Sequence, residues 1–160
     1  MERPDWHTDD FPELRSAPPW VMQDMIEAQP ELVESIATAT DTAPLALLLR
    51  VPGPLTVVGC GTSEHAALAV AEILTEAGTG ALARQAFEAA LEPQEGGAVL
   101  GISHEGGTWA TVEALEAARR AGSATGLITA VADSRATAEA GRNSIKNRNW
   151  PGILWRQFGQ

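Results

Sequence analysis

The sequence contains no tyrosine, one cysteine and one lysine, and aromatic residues make up 5% of its 160 positions. Because Cys60 has no partner within the chain, no internal disulfide can stabilise the fold. The longest apolar run, Ala43 to Leu49, is too short to cross a bilayer. With 28 alanines and so few aromatic residues, the core is expected to consist of small and branched side chains in close contacts, which favours an α/β domain.

Positive charge is also scarce. Eleven Lys and Arg residues stand against 21 Asp and Glu residues, which gives a formal net charge of −10. Such a chain repels a phosphate backbone, and this argues against general nucleic-acid binding. The acidic start, Met1 to Asp10, lacks the basic and then apolar pattern of a secretory signal. We therefore expect a cytoplasmic protein that binds neither nucleic acid nor membrane.

The last twenty residues differ in composition from the rest. Residues 141–160 carry four basic residues and no acidic one, and they hold the only lysine and all three asparagines. We therefore place a boundary near Ala140 and predict three parts: an extended segment over residues 1–20, a domain over 21–140 and an atypical basic tail over 141–160. The tail is either a natural basic extension or an out-of-frame continuation of a truncated domain. We expect it to pack poorly.

Helices and strands alternate through the central part. Apolar residues at three-to-four spacing predict an amphipathic helix from Val21 to Ile36, bent at Pro30, and a short helix follows at Pro44 to Arg50. Strands are predicted at Leu55–Cys60, Ala81–Gln85, Ala98–Ile102 and Thr125–Ala130, with helices at Thr62–Ala77, near Phe87, at Thr108–Ala121 and from Asp133. This alternation predicts a three-layer α/β fold with a doubly wound parallel sheet.

Two loops follow predicted strands and precede predicted helices, where open parallel sheets bind ligands. The first is Gly59-Cys-Gly-Thr-Ser63, in which two glycines allow a close backbone approach and two hydroxyls stand at a helix start. Those hydroxyls could also be plain helix caps. Glu64 occupies the third glycine position of a dinucleotide-binding fingerprint, so a Rossmann oxidoreductase is disfavoured.

The second loop, Ser103 to Thr108, completes a resemblance to the sugar isomerase (SIS) domain family, which includes the isomerase half of glucosamine-6-phosphate synthase. The family's first loop reads C-G-T-S, as Cys60 to Ser63 do here. Its second reads S-x-S-G-x-T, and this chain departs from it only at the middle serine, which is Glu105. The segment Met22 to Pro30 is similar to the helix that precedes the isomerase domain in those synthases, with Met25 in the family's acidic position.

The resemblance implies a five-stranded, flavodoxin-like sheet and a phosphosugar ligand, with neither metal nor cofactor. The implied ligand-binding residues are Gly61, Thr62, Ser63, Ser103, Gly106 and Thr108. It also implies a partner, either a second copy of the chain or a second SIS domain, because the synthases pair two such domains. The fifth strand should follow the helix after Asp133, where the composition changes, and Gly152 to Phe158 could serve as a poor substitute.

His104 and Glu105 are the candidates for acid–base chemistry. An imidazole titrates near neutral pH and a neighbouring carboxylate can act as a base or hold the ring, which suits ring opening and proton transfer between C1 and C2 of a sugar. They could equally be a solvated loop pair. A Glu105 carboxylate about 4 Å from a bound phosphate would cost on the order of 4 kcal/mol, so weak binding of hexose 6-phosphates is expected.

These observations predict a phosphosugar-binding SIS domain related to aldose/ketose isomerases and to aminosugar synthases. Two other hypotheses are a non-catalytic sensor of a sugar phosphate and a purely structural, truncated product. The sequence leaves open whether the chain is an enzyme and which sugar it binds. Because strand-to-helix loops of a parallel sheet open on one edge, we expect the hydroxyls of Ser63, Ser103 and Thr108 to converge on one pocket.

Overall fold

A computed structural model describes residues 26–39, 42–130 and 154–158, in two compact units, residues 1–40 and 41–160. In the first unit, helix α1 spans Gln29–Ala39. Ile26 and Glu27 are helical and Ala28 forms a turn, so the helix is interrupted two residues before Pro30, where the proline ring crowds the preceding turn. Leu32 and Ile36, one turn apart, are its half-buried apolar residues.

The second unit alternates strands and helices as the apolar pattern predicts. The elements in chain order are α2 (Ala43–Leu48), β1 (Leu55–Gly59), α3 (Thr62–Glu76), β2 (Ala81–Gln85), α4 (Ala86–Leu91), β3 (Ala98–Ile102), α5 (Trp109–Arg120), β4 (Ala124–Thr129) and β5 (Leu154–Phe158). The expected strands and helices between residues 44 and 130 are present with shifts of one or two residues at their ends. Residues 21–25, the helix expected from Asp133 and residues 141–153 lie outside the described part.

The sheet has the strand order β2-β1-β3-β4-β5. The first four strands are parallel, as predicted. The fifth is antiparallel: Leu154 lies opposite Thr129, and Phe158 lies opposite Thr125. The tail segment that the sequence identified as a substitute therefore takes the place of the fifth strand implied by the resemblance. It runs antiparallel to the other four strands. Antiparallel edge strands on parallel sheets are common in large α/β folds.

Two apolar clusters cover the two faces of this sheet. Val57 and Leu100 pack on one face with residues of α2 and α3. Val58 and Leu127 pack on the other face with residues of α4 and α5, among them Leu115. Neighbouring residues of β1 therefore contribute to opposite clusters, as strand alternation requires, and the whole strand is buried. This confirms the predicted three-layer α/β architecture and directs the carboxyl ends of β1, β3 and β4 to one edge.

The helices of the described ranges are all too short or too polar to span a bilayer.

Candidate functional site

The first loop joins β1 to α3 through two residues, Cys60 and Gly61. A Cβ atom on Gly59 would lie 2.2 Å from the carbonyl oxygen of Ser63 and 2.8 Å from the amide nitrogen of Glu64, so the first turn of α3 passes over a position that only glycine can fill. Gly61 is the N-cap residue, and its carbonyl accepts a hydrogen bond from the Glu64 amide at 3.0 Å. This geometry places Thr62 and Ser63 in the first turn of α3, where amides lack intrahelical acceptors.

The second loop forms a tight turn around a buried serine. The Ser103 side chain is 2% exposed, and its Oγ accepts a hydrogen bond from the Gly106 amide at 3.1 Å. Gly106 is itself buried and has a φ of +63°, a conformation that favours glycine. The Ser103 hydroxyl therefore shapes the loop, and Gly106 supports that shape.

A cavity of about 590 Å³ lies at the carboxyl edge of the sheet. It is lined by residues from the first turn of α3 and from the ends of β3 and β4: Thr62, Ser63, Ala66, Ile102, Ser103, His104, Ile128, Thr129 and Ala130. The structure thus brings together Thr62 and Ser63 of the first loop with Ser103 and His104 of the second. Among the described residues, this lining contains no lysine, arginine, aspartate or glutamate.

Four of the residues singled out by the sequence lie outside this lining: Gly61, Glu105, Gly106 and Thr108. Gly61 and Gly106 instead shape the two loops. Thr108 is the exposed N-cap residue of α5, and its side chain makes no capping hydrogen bond. The structure therefore places Ser63 and Ser103 on the cavity but does not bring Thr108 to its wall.

His104 and Glu105 differ in their relation to the cavity, although both are exposed. His104 contributes to the lining, whereas Glu105 does not. The backbone of His104 is also fixed, because its carbonyl accepts hydrogen bonds from the Ala130 amide at 2.9 Å and from Thr129 Oγ1 at 3.0 Å. The structure therefore holds the backbone of His104 at the end of β4 and leaves its imidazole exposed at the cavity.

The sequence did not single out the third side of the cavity, formed by Ile128, Thr129 and Ala130. A signal was available, because β4 is parallel to β3 and its carboxyl end must lie at the same edge as the two loops. The segment lacks the glycines that marked the other two strand ends, so no local pattern drew attention to it.

Hydroxyl, imidazole and apolar groups suit a polar organic ligand better than a metal ion. Within ranges 26–39, 42–130 and 154–158, no group of three or more His, Cys, Asp or Glu residues is arranged to hold a metal. Cys60 is half-buried, and its Sγ lies 3.9 Å from Nε2 of Gln85. The side chain of Gln85 also caps the N-terminus of α4.

The chain matches no protein-family model and no curated protein sequence. Solved structures do resemble it. The C-terminal domain of glucosamine-fructose-6-phosphate aminotransferase from Francisella tularensis is 21% identical with a TM-score of 0.65, over 77% of this chain and 38% of that one. A protein of E. coli CFT073, solved in complex with a sugar phosphate, is 19% identical with a TM-score of 0.62, over 74% of this chain and 66% of that one.

A third similar structure is tagatose-6-phosphate ketose/aldose isomerase from Escherichia coli, 16% identical with a TM-score of 0.54 over 74% of this chain. This chain spans 34% of that isomerase, 38% of the Francisella domain and 66% of the E. coli CFT073 protein. At these identities the likeness concerns the fold. The resemblance to the SIS domains that the two loops indicated is therefore confirmed: the chain has the fold of SIS-domain phosphosugar isomerases and of the aminotransferase isomerase domain.

Proposed function

We propose that the chain binds a phosphosugar in the cavity at the carboxyl edge of its sheet. The observation that carries the proposal is the meeting of Thr62 and Ser63, in the first turn of α3, with Ser103 of the second loop. A helix N-terminus offers unpaired amides and a partial positive charge, and hydroxyls add further donors for phosphate oxygens. A volume of about 590 Å³ also lies within the range of small-molecule sites.

The similar structures support this ligand class. The E. coli CFT073 protein was solved with a sugar phosphate bound, and the other two act on sugar phosphates according to their names. Two features weaken the expected affinity. The described lining has no lysine or arginine to pair with the phosphate, and Glu105 adds a negative charge to the same loop. We therefore expect binding that depends on neutral donors and is weak for hexose 6-phosphates.

An aldose–ketose isomerisation is the reaction that we assign to the site. It moves one proton between C1 and C2 of the open-chain sugar and one between their oxygens. His104 is the titratable side chain in the described lining, so we assign it the proton-carrying role. Glu105 would assist it by holding the imidazole or by acting as a second base.

Non-catalytic binding is the second candidate function. This candidate is supported by the position of Glu105 outside the cavity lining: among the described lining residues, no second acid–base side chain accompanies the His104 imidazole. A domain with this arrangement would report a sugar phosphate to a partner instead of converting it. Incubation of the chain with fructose 6-phosphate and analysis of the products separates the two functions, because only an isomerase forms the aldose.

We further propose that the domain works in the cytoplasm, as a homodimer or beside a second SIS domain. The resemblance of the two loops to the aminosugar synthases, which pair two such domains, supports a partner of this kind. Sedimentation equilibrium of the chain, alone and with a co-expressed second domain, tests this proposal.

Calorimetry with fructose 6-phosphate, glucosamine 6-phosphate and unphosphorylated fructose tests the binding function. We expect weak heats with both phosphosugars and none with fructose. Ser63→Ala should weaken binding at least about fivefold, because it removes a hydroxyl donor from the first turn of α3. Thr75→Ala is the control: it removes a hydroxyl near the other end of α3 that hydrogen-bonds the Ala81 backbone and lies outside the cavity lining. Equal binding of fructose and its phosphate would contradict phosphate recognition.

A further inference from the structure

The second loop is held in place by the end of β4. Three hydrogen bonds join them. The Ser103 amide donates to the Ile128 carbonyl at 3.1 Å. The His104 carbonyl accepts from the Ala130 amide at 2.9 Å and from Thr129 Oγ1 at 3.0 Å. One carbonyl therefore receives two donors from consecutive residues of the neighbouring strand end. This carbonyl belongs to the residue whose side chain lines the cavity.

The Thr129 bond is the side-chain component of this junction. Thr129 is 2% exposed, so water cannot readily replace its hydroxyl at the His104 carbonyl. The held segment is short: Ser103 precedes the carbonyl, and the Gly106 amide bonds back to Ser103 Oγ at 3.1 Å. A displacement of the His104 backbone would therefore move both Ser103 and the imidazole relative to the first turn of α3.

We infer that Thr129 is a positioning residue for the ligand site, which orients the Ser103–Gly106 loop by donating its hydroxyl to the His104 carbonyl. The inference rests on the proposed phosphosugar site for its effect on binding. The bond itself exists independently of the ligand, so its effect on loop position can be measured separately.

The same strand supplies a matched control. Thr125 lies four residues earlier on the same face of β4 and is fully buried, and its hydroxyl has no hydrogen-bond partner among the residues that the structure describes. Thr→Val at either position removes one buried hydroxyl at nearly constant shape. Only the change at Thr129 removes a bond to the second loop.

The experiment compares the full chain with Thr129→Val, Thr129→Ser and Thr125→Val. Calorimetry with fructose 6-phosphate measures affinity, amide spectra report the environment of Ser103 and Gly106, and thermal unfolding verifies that each variant is folded. We expect Thr129→Val to weaken binding about fivefold and to shift both amide signals. Thr129→Ser, which keeps the hydroxyl, should stay within about twofold of the original affinity, and Thr125→Val should change neither readout.

Two results would overturn the inference. The first is that Thr129→Val leaves both the amide signals and the affinity unchanged. The second is that Thr129→Ser has the same defect as Thr129→Val, because side-chain packing and not the hydroxyl would then position the loop. If the original chain binds no phosphosugar, the proposed function fails, and the amide signals alone test the positioning role. Signals that shift in Thr129→Val and return to their original positions in Thr129→Ser support it. Unshifted signals in Thr129→Val refute it.

Discussion

At the scale of single residues, Glu105 is the clearest departure from the SIS loop pattern. Its side chain is exposed and lies outside the cavity lining, so solvent screens its repulsion of a bound phosphate. We expect Glu105→Ser to tighten binding of fructose 6-phosphate about two- to threefold, much less than a close pair of charges would give. Calorimetry measures the change, with Glu95→Ser as the control at an exposed acid preceding β3. Loss of binding would identify Glu105 as a ligand-holding or catalytic carboxylate.

Two loop glycines allow a sharp stability comparison. An alanine Cβ at Gly59 would lie 2.2 Å from a backbone oxygen of α3, whereas one at Gly107 would meet nothing within 4 Å. We expect Gly59→Ala to lower the free energy of unfolding by about 3 kcal/mol, because strand and helix must separate. Gly107→Ala should change it by less than about 0.5 kcal/mol. Urea unfolding measures both, and equal effects would mean that α3 does not pass this close to β1.

At the scale of elements, the tail segment provides the most direct test. The sequence predicts poor packing of residues 141–160, whereas the structure pairs β5 with β4 over five residues. We expect truncation after Ala140 to lower the melting temperature by several degrees, because β4, with Thr125 and Leu127 fully buried, would become an edge strand. Calorimetric scans of the full and truncated chains measure this. A shift of less than about one degree would favour the poorly packed tail that the sequence predicts.

At the scale of the whole molecule, net charge and ligand charge have the same sign. The formal charge of −10 repels an anionic sugar phosphate. Most of these charges act over long distances, at which dissolved salt screens the repulsion. No lysine or arginine in the described lining offsets this by direct contact. We expect the affinity for fructose 6-phosphate to rise about twofold between 10 and 150 mM salt, measured by calorimetry. A fall in affinity would show that a basic side chain contacts the phosphate.

The fold was largely predictable because its signals are local. The bounds of Ala98–Ile102 follow from a short apolar run after two glycines, and those of Ala81–Gln85 follow from the repeating strand–helix pattern. The structure reproduces both strands. The loop at Gly59 to Ser63 was equally visible, because glycines and hydroxyls follow a buried strand. Each of these features depends on neighbouring residues, so the amino-acid order is sufficient to indicate it.

The composition of the cavity was only partly predictable. Thr108 was expected at the wall and lies outside the lining, whereas Thr129 was not singled out and lines it. The local loop pattern marked Thr108 and not Thr129, so it did not indicate which threonine lines the cavity. Their difference depends on strand order, which sets β4 beside β3, and on the hydrogen bonds that close the second loop toward β4.

By itself, the sequence determined the alternation of helices and strands, the two loops and the acidic character of the chain, since these depend on composition and on periodicity over a few residues. Only the tertiary structure decided which hydroxyls share a cavity, why Gly59 must be glycine and in which direction β5 pairs. These properties arise from contacts between segments far apart in the chain, such as Thr129 with His104 and Thr125 with Phe158, whose geometry is set when the sheet assembles.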